Sequence, residues 1–404
     1  MRQYSYRLRL YLNNSQKEFL ARQFGCCRLV YNYMLELKQN TFKEGIKYSK
    51  FDLIKQLTPL KNDEKYYFLN EVIGQPLQYS ISNVDDAFAR MYSKQTKYPK
   101  FKNKRSRQSF TYAYPRIKDN RLWLPKHKSW IKFSDGRTIE GKLKKVTISK
   151  DPDGTYWASI LSEQDYVVPE KPKVLGKTVG MDLGLKDFAI LSDGTKIVNP
   201  RFAEHYAYKI KTAQRHLPRK HKGSKRYEKQ RLKLARLHKR VKYLRHEFIH
   251  SLVNWLLSEN QTICLETLNI KKMMQGSKLA KSIASASWSE FIRVLKYKAG
   301  CLGKQIIQIP KYAASTKKCC ACGHQVSAIP LSVREWTCPY CGVHHDRDIN
   351  AARNILLQAV NLALGGKSPV HSWIDIADLC TLGIQVSDAK MKREYRNNVP
   401  IAVH

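Results

Sequence analysis

The sequence predicts a multidomain α+β protein: a small N-terminal β domain with helices inserted into it, then an α/β domain interrupted by a four-cysteine module. Three observations predict it. Apolar alternation of period two in Met1–Leu12 gives way to helical spacing and returns only from about Phe110. A strand, turn, strand, turn, strand pattern opens at Thr178 and is followed by helices alternating with strands. Two Cys-x2-Cys pairs, Cys319/Cys322 and Cys338/Cys341, stand fifteen residues apart in the second half.

In the first segment Tyr4, Tyr6, Leu8, Leu10 and Leu12 alternate with polar or basic residues, which predicts a strand and not the apolar core of a signal peptide. Ser15 and Glu18 form a capping-box pair ahead of Leu20, Phe24, Cys27, Val30, Met34 and Leu37, spaced as one face of a helix. Gly25 weakens that helix by about 1 kcal/mol relative to alanine. A second helix runs through Leu77, Ile81, Val84, Phe88 and Met91, and Lys97–Arg107 is a basic loop interleaved with aromatics. From Phe110 to Ser162, β-rich runs at Leu122–Leu124, Val146–Ile148 and Tyr156–Ile160 are separated by the turn signals Asp135-Gly136 and Asp153-Gly154. They predict a barrel-like domain completed by the first strand, and Val168–Lys173, with Pro169 and Pro172, reads as a linker.

The second half begins with three strands over Thr178–Val198, with Asp193-Gly194 as the second turn. Between Lys209 and Arg245 there are sixteen Lys or Arg and one acid, Glu228. Within it starts a helical stripe of Leu234, Leu237, Val241, Leu244, Phe248, Leu252 and Trp255, so one face packs while the other is cationic. Gln261–Glu266 is a strand, and Trp288–Leu302 a helix with Trp288, Phe291, Ile292, Leu295, Ala299 and Leu302 inward. Gln305–Ile309 is another strand, and Asn350–Ala363 a last helix with Ile355, Leu356, Ala359 and Ala363 inward, stopped by Gly365-Gly366. Beyond Lys367 little periodicity is left.

The 404 residues, 43% of them hydrophobic, suffice for two or three cores. Seventy-three Lys and Arg against 33 Asp and Glu leave a formal charge of +40, which points to a polyanionic partner, nucleic acid, rather than a membrane. No apolar run approaches a membrane span, and ten cysteines without export features indicate a reducing cytoplasm.

Hydrolysis of a phosphodiester by two metal ions needs several carboxylates converging on ions roughly 4 Å apart. Asp182, between Met181 and Leu183 and flanked by Gly180 and Gly184, interrupts apolar β residues, where an unpaired carboxylate would be costly. Glu266 ends its strand, and Asp348 opens the last helix, which it could merely cap, with Asp346 two residues earlier its rival for the metal. Asp187 and Asp193 look like turn residues. The four cysteines have the spacing of a tetrahedral thiolate zinc site, each second cysteine being followed by Gly323 or Gly342. One structural Zn2+ is expected on Cys319, Cys322, Cys338 and Cys341; a closed site of this kind does not perform hydrolysis. Cys320 either substitutes as a ligand or fills space, His324, His344 and His345 are not needed, and Cys26, Cys27, Cys264, Cys301 and Cys380 read as small core residues.

The order of elements is that of an RNase H-like nuclease. Residues 178–360 resemble the RuvC domain of the TnpB family of transposon-encoded proteins, relatives of the type V CRISPR effectors. The resemblance rests on Gly180-Met-Asp-Leu-Gly-Leu-Lys-Asp-Phe-Ala, Glu266-Thr-Leu-Asn, Ala286-Ser-Trp-Ser-Glu-Phe, and Arg334-Glu-Trp-Thr-Cys-Pro-Tyr-Cys-Gly running into His345-Asp-Arg-Asp-Ile-Asn-Ala-Ala. More loosely, Gly25–Lys38 and Pro99–Phe110 are similar to the same family's N-terminal region. The resemblance implies a RuvC-type endodeoxyribonuclease with Asp182, Glu266 and Asp348 as the catalytic acids, which decides between Asp348 and Asp346. Two Mg2+ would serve it, with Mn2+ able to substitute. It further implies a guide RNA, a double-stranded DNA target beside a short flanking motif, and a prokaryotic cytoplasmic setting. In domain terms it implies a wedge-like β domain (1–13 and 96–167), a helical recognition domain (14–95), the nuclease domain (174–314 and 344–366), a zinc ribbon that contacts target nucleic acid (315–343) and a C-terminal tail (367–404). The other readings of the same acids are a resolvase or transposase working without RNA, and an RNA-guided repressor. The intact acids argue against the repressor.

Overall fold

In the computed structural model, residues 2–363 are described apart from 135–137, 168, 171–175, 276–278, 311–316, 328 and 331. The Asp135-Gly136 turn, most of the 168–173 linker, the Gly365-Gly366 stop, Cys380 and the tail lie outside the described residues. The chain divides into two compact units, Met1–Val167 with Lys225–Ala235, and Val168–Ser224 with Arg236–His404. Among the described residues no helix is long and apolar enough to cross a membrane.

The first unit starts with β1 (Arg2–Tyr11), whose inward residues Leu8 and Leu10 are buried. Helix α1 (Asn14–Lys43) follows. Its cap is Asn13, whose side chain accepts from the Gln16 amide while Gln16 returns a bond to the Asn13 amide, and not the expected Ser15/Glu18 pair. Ser15 instead bonds His127 Nε2 at 2.9 Å, so the true capping box lies two residues earlier. The expected inward face holds: Leu20, Phe24, Cys27, Val30 and Met34 are all buried. Short helices α2 (Lys50–Lys55) and α3 (Leu57–Asn62) and a 3-10 turn (Glu64–Asn70), too brief for periodicity to reveal, precede α4 (Gly74–Tyr92). Strands β2 (Gln108–Ala113), β3 (Ile117–Lys118), β4 (Arg121–Leu124), β5 (Ser129–Phe133), β6 (Lys142–Lys150) and β7 (Tyr156–Gln164) complete the unit. They form one seven-stranded sheet in the order β2-β6-β7-β1-β5-β4-β3, with β1 antiparallel to both β7 and β5. The first strand thus completes the sheet across the inserted helices, and one apolar core joins the helices to it.

The second unit carries β8 (Thr178–Asp182), β9 (Asp187–Leu191) and β10 (Lys196–Val198), then α5 (Phe202–His205), α6 (Ala207–His216) and, from Arg236 on, the long α7 (Lys225–Glu259), whose start at Lys225–Ala235 counts with the first unit. Next come β11 (Thr262–Glu266), α8 (Ile270–Met273), α9 (Ala280–Ala286), α10 (Trp288–Cys301), β12 (Gln305–Ile309), β13 (Glu335–Thr337), β14 (His344–Asp346) and α11 (Arg347–Ala363). The main sheet has the order β10-β9-β8-β11-β12, with β8, β11 and β12 parallel and β9 and β10 antiparallel. Asp187 opens β9 rather than lying in a turn, whereas Asp193 does sit in the β9–β10 turn and accepts from the Thr195 amide. The packed stripe of α7 is narrower and later than its spacing predicts: Val241, Ile249, Leu252, Val253, Leu256 and Leu257 are buried, while Leu234 and Leu237 are only half-buried. On α10, Val294 takes the inward place expected for Ile292, and Leu302, past the helix end, is exposed. Ala363 is exposed likewise.

Candidate active site and metal centre

Two parallel strands and one helix start bring the expected acids together. Asp182 is the last residue of β8 and Glu266 the last of its parallel neighbour β11, so both carboxylates leave the same end of the sheet. Asp348 lies in the first turn of α11, which packs on β8, β11 and β12. That packing is close because residue 180 is glycine: a Cβ there would meet the Ala352 carbonyl oxygen and come within 2.8 Å of Leu356 Cβ. The β8–α11 contact therefore sets how near Asp348 comes to Asp182.

The electrostatics record the convergence. The Asp182 carboxyl is pushed up to about 7, first by burial and then by the charges of Glu266 and Asp348, against the Leu183 amide and Arg347. Burial also raises Glu266. Asp348 Oδ2 accepts from Arg334 NH1 at 3.3 Å, a partner that its spacing did not announce. Among the described residues, the four cysteines are the metal-type donor group gathered within 4.8 Å of one another; the three carboxylates are not gathered that tightly. A buried acid whose proton is held first by burial and then by the charges of two other carboxylates is a donor set that divalent cations fit.

Asp346 has a different task. Its Oδ1 accepts from the amides of Asp348 and Ile349 at 2.9 and 3.1 Å, which makes it the N-cap of α11, and Lys196 Nζ lies 2.5 Å from its Oδ2. Despite partial burial, Lys196 and these amides hold its carboxyl below the usual range. The helix accordingly begins at Arg347, three residues ahead of the expected Asn350. Asp346→Ala should lower stability by about 1 kcal/mol and leave cleavage measurable, whereas loss of Asp348 should not; thermal melts beside a cleavage assay check this.

The four cysteines form the expected cluster. Cys319 Sγ lies 3.7 Å from Cys341 Sγ, and Cys322 Sγ 3.6 Å from Cys338 Sγ. A tetrahedron of Zn–S bonds near 2.3 Å has edges of about 3.8 Å, while a disulfide would need about 2.05 Å. Both knuckles have one geometry: Gly323 and Gly342 have positive φ, and their amides bond back to the carbonyls of Cys319 and Cys338 at 2.9 and 3.0 Å. Although burial opposes it, the amides of Cys341 and Tyr340 bring the Cys338 thiol down to about 7. Cys320 stands outside the cluster; its amide donates to Asn350 Oδ1 at 2.9 Å. Sequence reasoning set His345 aside, yet it is buried beside Trp336 with Nε2 3.0 Å from Cys319 Sγ.

The module is fastened to the helix that bears Asp348. Asn350 and Asn354 both donate to the Lys318 carbonyl, at 2.8 and 2.6 Å, and the Arg347 amide bonds to the Arg334 carbonyl at 2.8 Å. The hairpin of β13 and β14 leads straight into α11. Position in the chain hinted at this coupling, but the asparagine clamp was not legible.

Comparison with known proteins agrees. Residues 159–276 match the model of a family described as a probable transposase, OrfB IS605, and residues 288–355 match the Cas12f1-like TNB domain. Residues 1–47 match a model described as a helix-turn-helix domain, although here they form β1 and the whole of one continuous helix, with a turn after it. A Streptomyces pristinaespiralis protein assigned by name as an RNA-guided DNA endonuclease is 37% identical over 87% of this chain and 88% of its own. Escherichia coli InsQ, assigned likewise, is 29% identical over 84% and 89%. Mimivirus relatives named TnpB-like are 31% identical over 33% of the chain and 26% of their own. Among solved structures, the mini-RNA-guided endonuclease CRISPR-Cas phi3 aligns at a TM-score of 0.48 and 10% identity, covering 89% of this chain and 92% of that one. On its sequence relatives, this chain belongs to the TnpB family.

Proposed function

We propose that the chain is an RNA-guided DNA endonuclease that hydrolyses DNA phosphodiesters in a RuvC-type centre formed by Asp182, Glu266 and Asp348, acting in a prokaryotic cytoplasm. The observation that carries the chemistry is that Asp182, raised to about 7 first by burial, also feels the charges of Glu266 and Asp348 from the same end of the sheet and the adjoining helix start. They would hold two Mg2+, or Mn2+ in its place; when bound, such ions supply a nucleophile at neutral pH and stabilise the leaving oxygen. The chain's own part is to aim two carboxylates from one sheet end and a third from the start of α11, to keep Asp346 occupied as a cap, and to hold the helix start through the ribbon. One Zn2+ on the four cysteines would make that ribbon rigid and leave no open position for chemistry.

The domain reading is part of the proposal: a wedge-like, barrel-related β domain (1–13 and 96–167) and a helical recognition domain (14–95) read the flanking motif and hold guide RNA. The nuclease domain (174–314 and 344–366) cuts, and the ribbon (315–343) contacts target DNA. The relatives' names support the reading, as do the +40 charge and the cationic 209–245 segment. Base pairing supplies the address. Protein purified from its host should carry one dominant RNA, and changing that RNA's variable end should move the cut to a new site beside the same flanking motif. Cleavage at unchanged positions by RNA-free protein would replace guidance with a resolvase or transposase reading.

A further inference from the structure

The first unit contains two hollows that share one arginine. The larger, about 730 Å3, is lined by the aromatic rings of Tyr33, Tyr66, Phe68 and Phe101 together with Arg28 and Gly25, and two acids also line it, Glu36 and Glu71, the latter paired with Arg22 at 3.4 Å. The smaller, about 60 Å3, holds Arg28, Lys102 and Arg107 with the hydroxyls of Ser80 and Ser106, and no acid lines it. One is suited to a flat aromatic group, the other to a small anion of a few oxygen atoms.

Both are built. Gly25 sits in the middle of α1, where glycine is a poor helix former, yet a Cβ there would meet no atom within 4 Å. Packing does not require the glycine; its missing side chain leaves the cavity wall open at this point. Lys102 is clasped to α1: its amide donates to Asn32 Oδ1 at 2.8 Å, its carbonyl accepts from Asn32 Nδ2 at 2.9 Å, and its ammonium lies 3.6 Å from the centroid of the Tyr31 ring. Burial lowers its pKa, and among the described residues no carboxylate pairs with it. Phe101 precedes it, so the clasp that fixes the cation in the small hollow also fixes a ring of the large one.

We infer that these hollows bind one unpaired nucleotide, with its base among the aromatic rings, its phosphate on Lys102 and Arg107, and Arg28 bridging the two. The inference rests on the nucleic-acid reading above and adds to it a site for a single nucleotide of guide or target. The test uses the full chain and a ten-nucleotide single strand carrying one 2-aminopurine, prepared as RNA and as DNA, with anisotropy reporting binding and 2-aminopurine fluorescence reporting stacking. Binding should quench the fluorescence, and Gly25→Leu or Arg28→Ala should relieve the quenching and weaken binding about tenfold. Gly25→Leu introduces a better helix former, so its melting temperature should not fall, which separates a filled site from an unfolded one. Quenching by RNA alone assigns the nucleotide to the guide, and by DNA alone to the target. If the strands bind but both variants bind and quench like the parent, the inference is overturned while the nucleic-acid reading stands. If neither strand binds at low salt, both are overturned.

Discussion

Alanine at any one of Asp182, Glu266 or Asp348 is expected to reduce DNA cleavage at least about a thousandfold while guide and target binding stay near the parent's. Loss of one transition-state hydrogen-bond donor typically costs about 10²–10³ in rate, and each of these acids bears on metal-held charge as well as geometry. Binding survives because phosphate contacts come from basic residues elsewhere. Matched cleavage and binding assays check it, and wild-type cutting by any of the three variants would remove that residue from the centre. Stability gives an independent readout. Folded Asp182 releases its proton near 7, against 3.8 for an ordinary aspartate, so between those values the unfolded chain binds fewer protons than the native one. Stability therefore falls as pH rises from about 4 to about 7, by an amount on the order of a few kcal/mol. Without divalent metal, Asp182→Asn should melt above the parent at pH 8, and the gap should close towards pH 4.

Cys338→Ser is expected to lose the single zinc and, with it, the order of the ribbon. Structural zinc contributes roughly 10–16 kcal/mol in small modules, more than most domains have in reserve. The damage should travel: Lys318 and Cys320 accept and donate the bonds that Asn350 and Asn354 make from the helix carrying Asp348. Cleavage should fall together with the melting temperature, unlike magnesium removal, which should stop cleavage with the ribbon intact. Metal analysis should find about one zinc per parent chain; a zinc-free preparation with the parent's melting curve would exclude the structural role.

The unequal legibility of these features has physical causes. Asp182 stood out because a carboxylate between buried apolar strand residues is costly, and the cysteines because tetrahedral ligation restricts spacing. Caps were harder. Asn13/Gln16 and Ser15/Glu18 satisfy the same local rule, and Asp346 and Asp348 stand two residues apart; Asn13 and Asp346 cap because they lie just outside the helix, whereas Ser15 and Asp348 lie within the first turn and bond His127 and Arg334.

By itself the sequence determined most strands and the long helices of both halves, the polyanion-seeking charge, the thiolate set and the candidacy of Asp182, Glu266 and one of Asp346 and Asp348, since each follows from periodicity, composition or spacing within a short stretch; the choice of Asp348 came from the family resemblance. Tertiary structure alone decided that β8 and β11 lie side by side so that Asp182 and Glu266 share a sheet end, and that Gly180 lets α11 approach until Asp348 perturbs Asp182. It also decided that asparagines of that helix hold the ribbon in place. These are contacts between residues from about 30 to more than 150 positions apart, and no local pattern encodes the distance at which two distant segments meet.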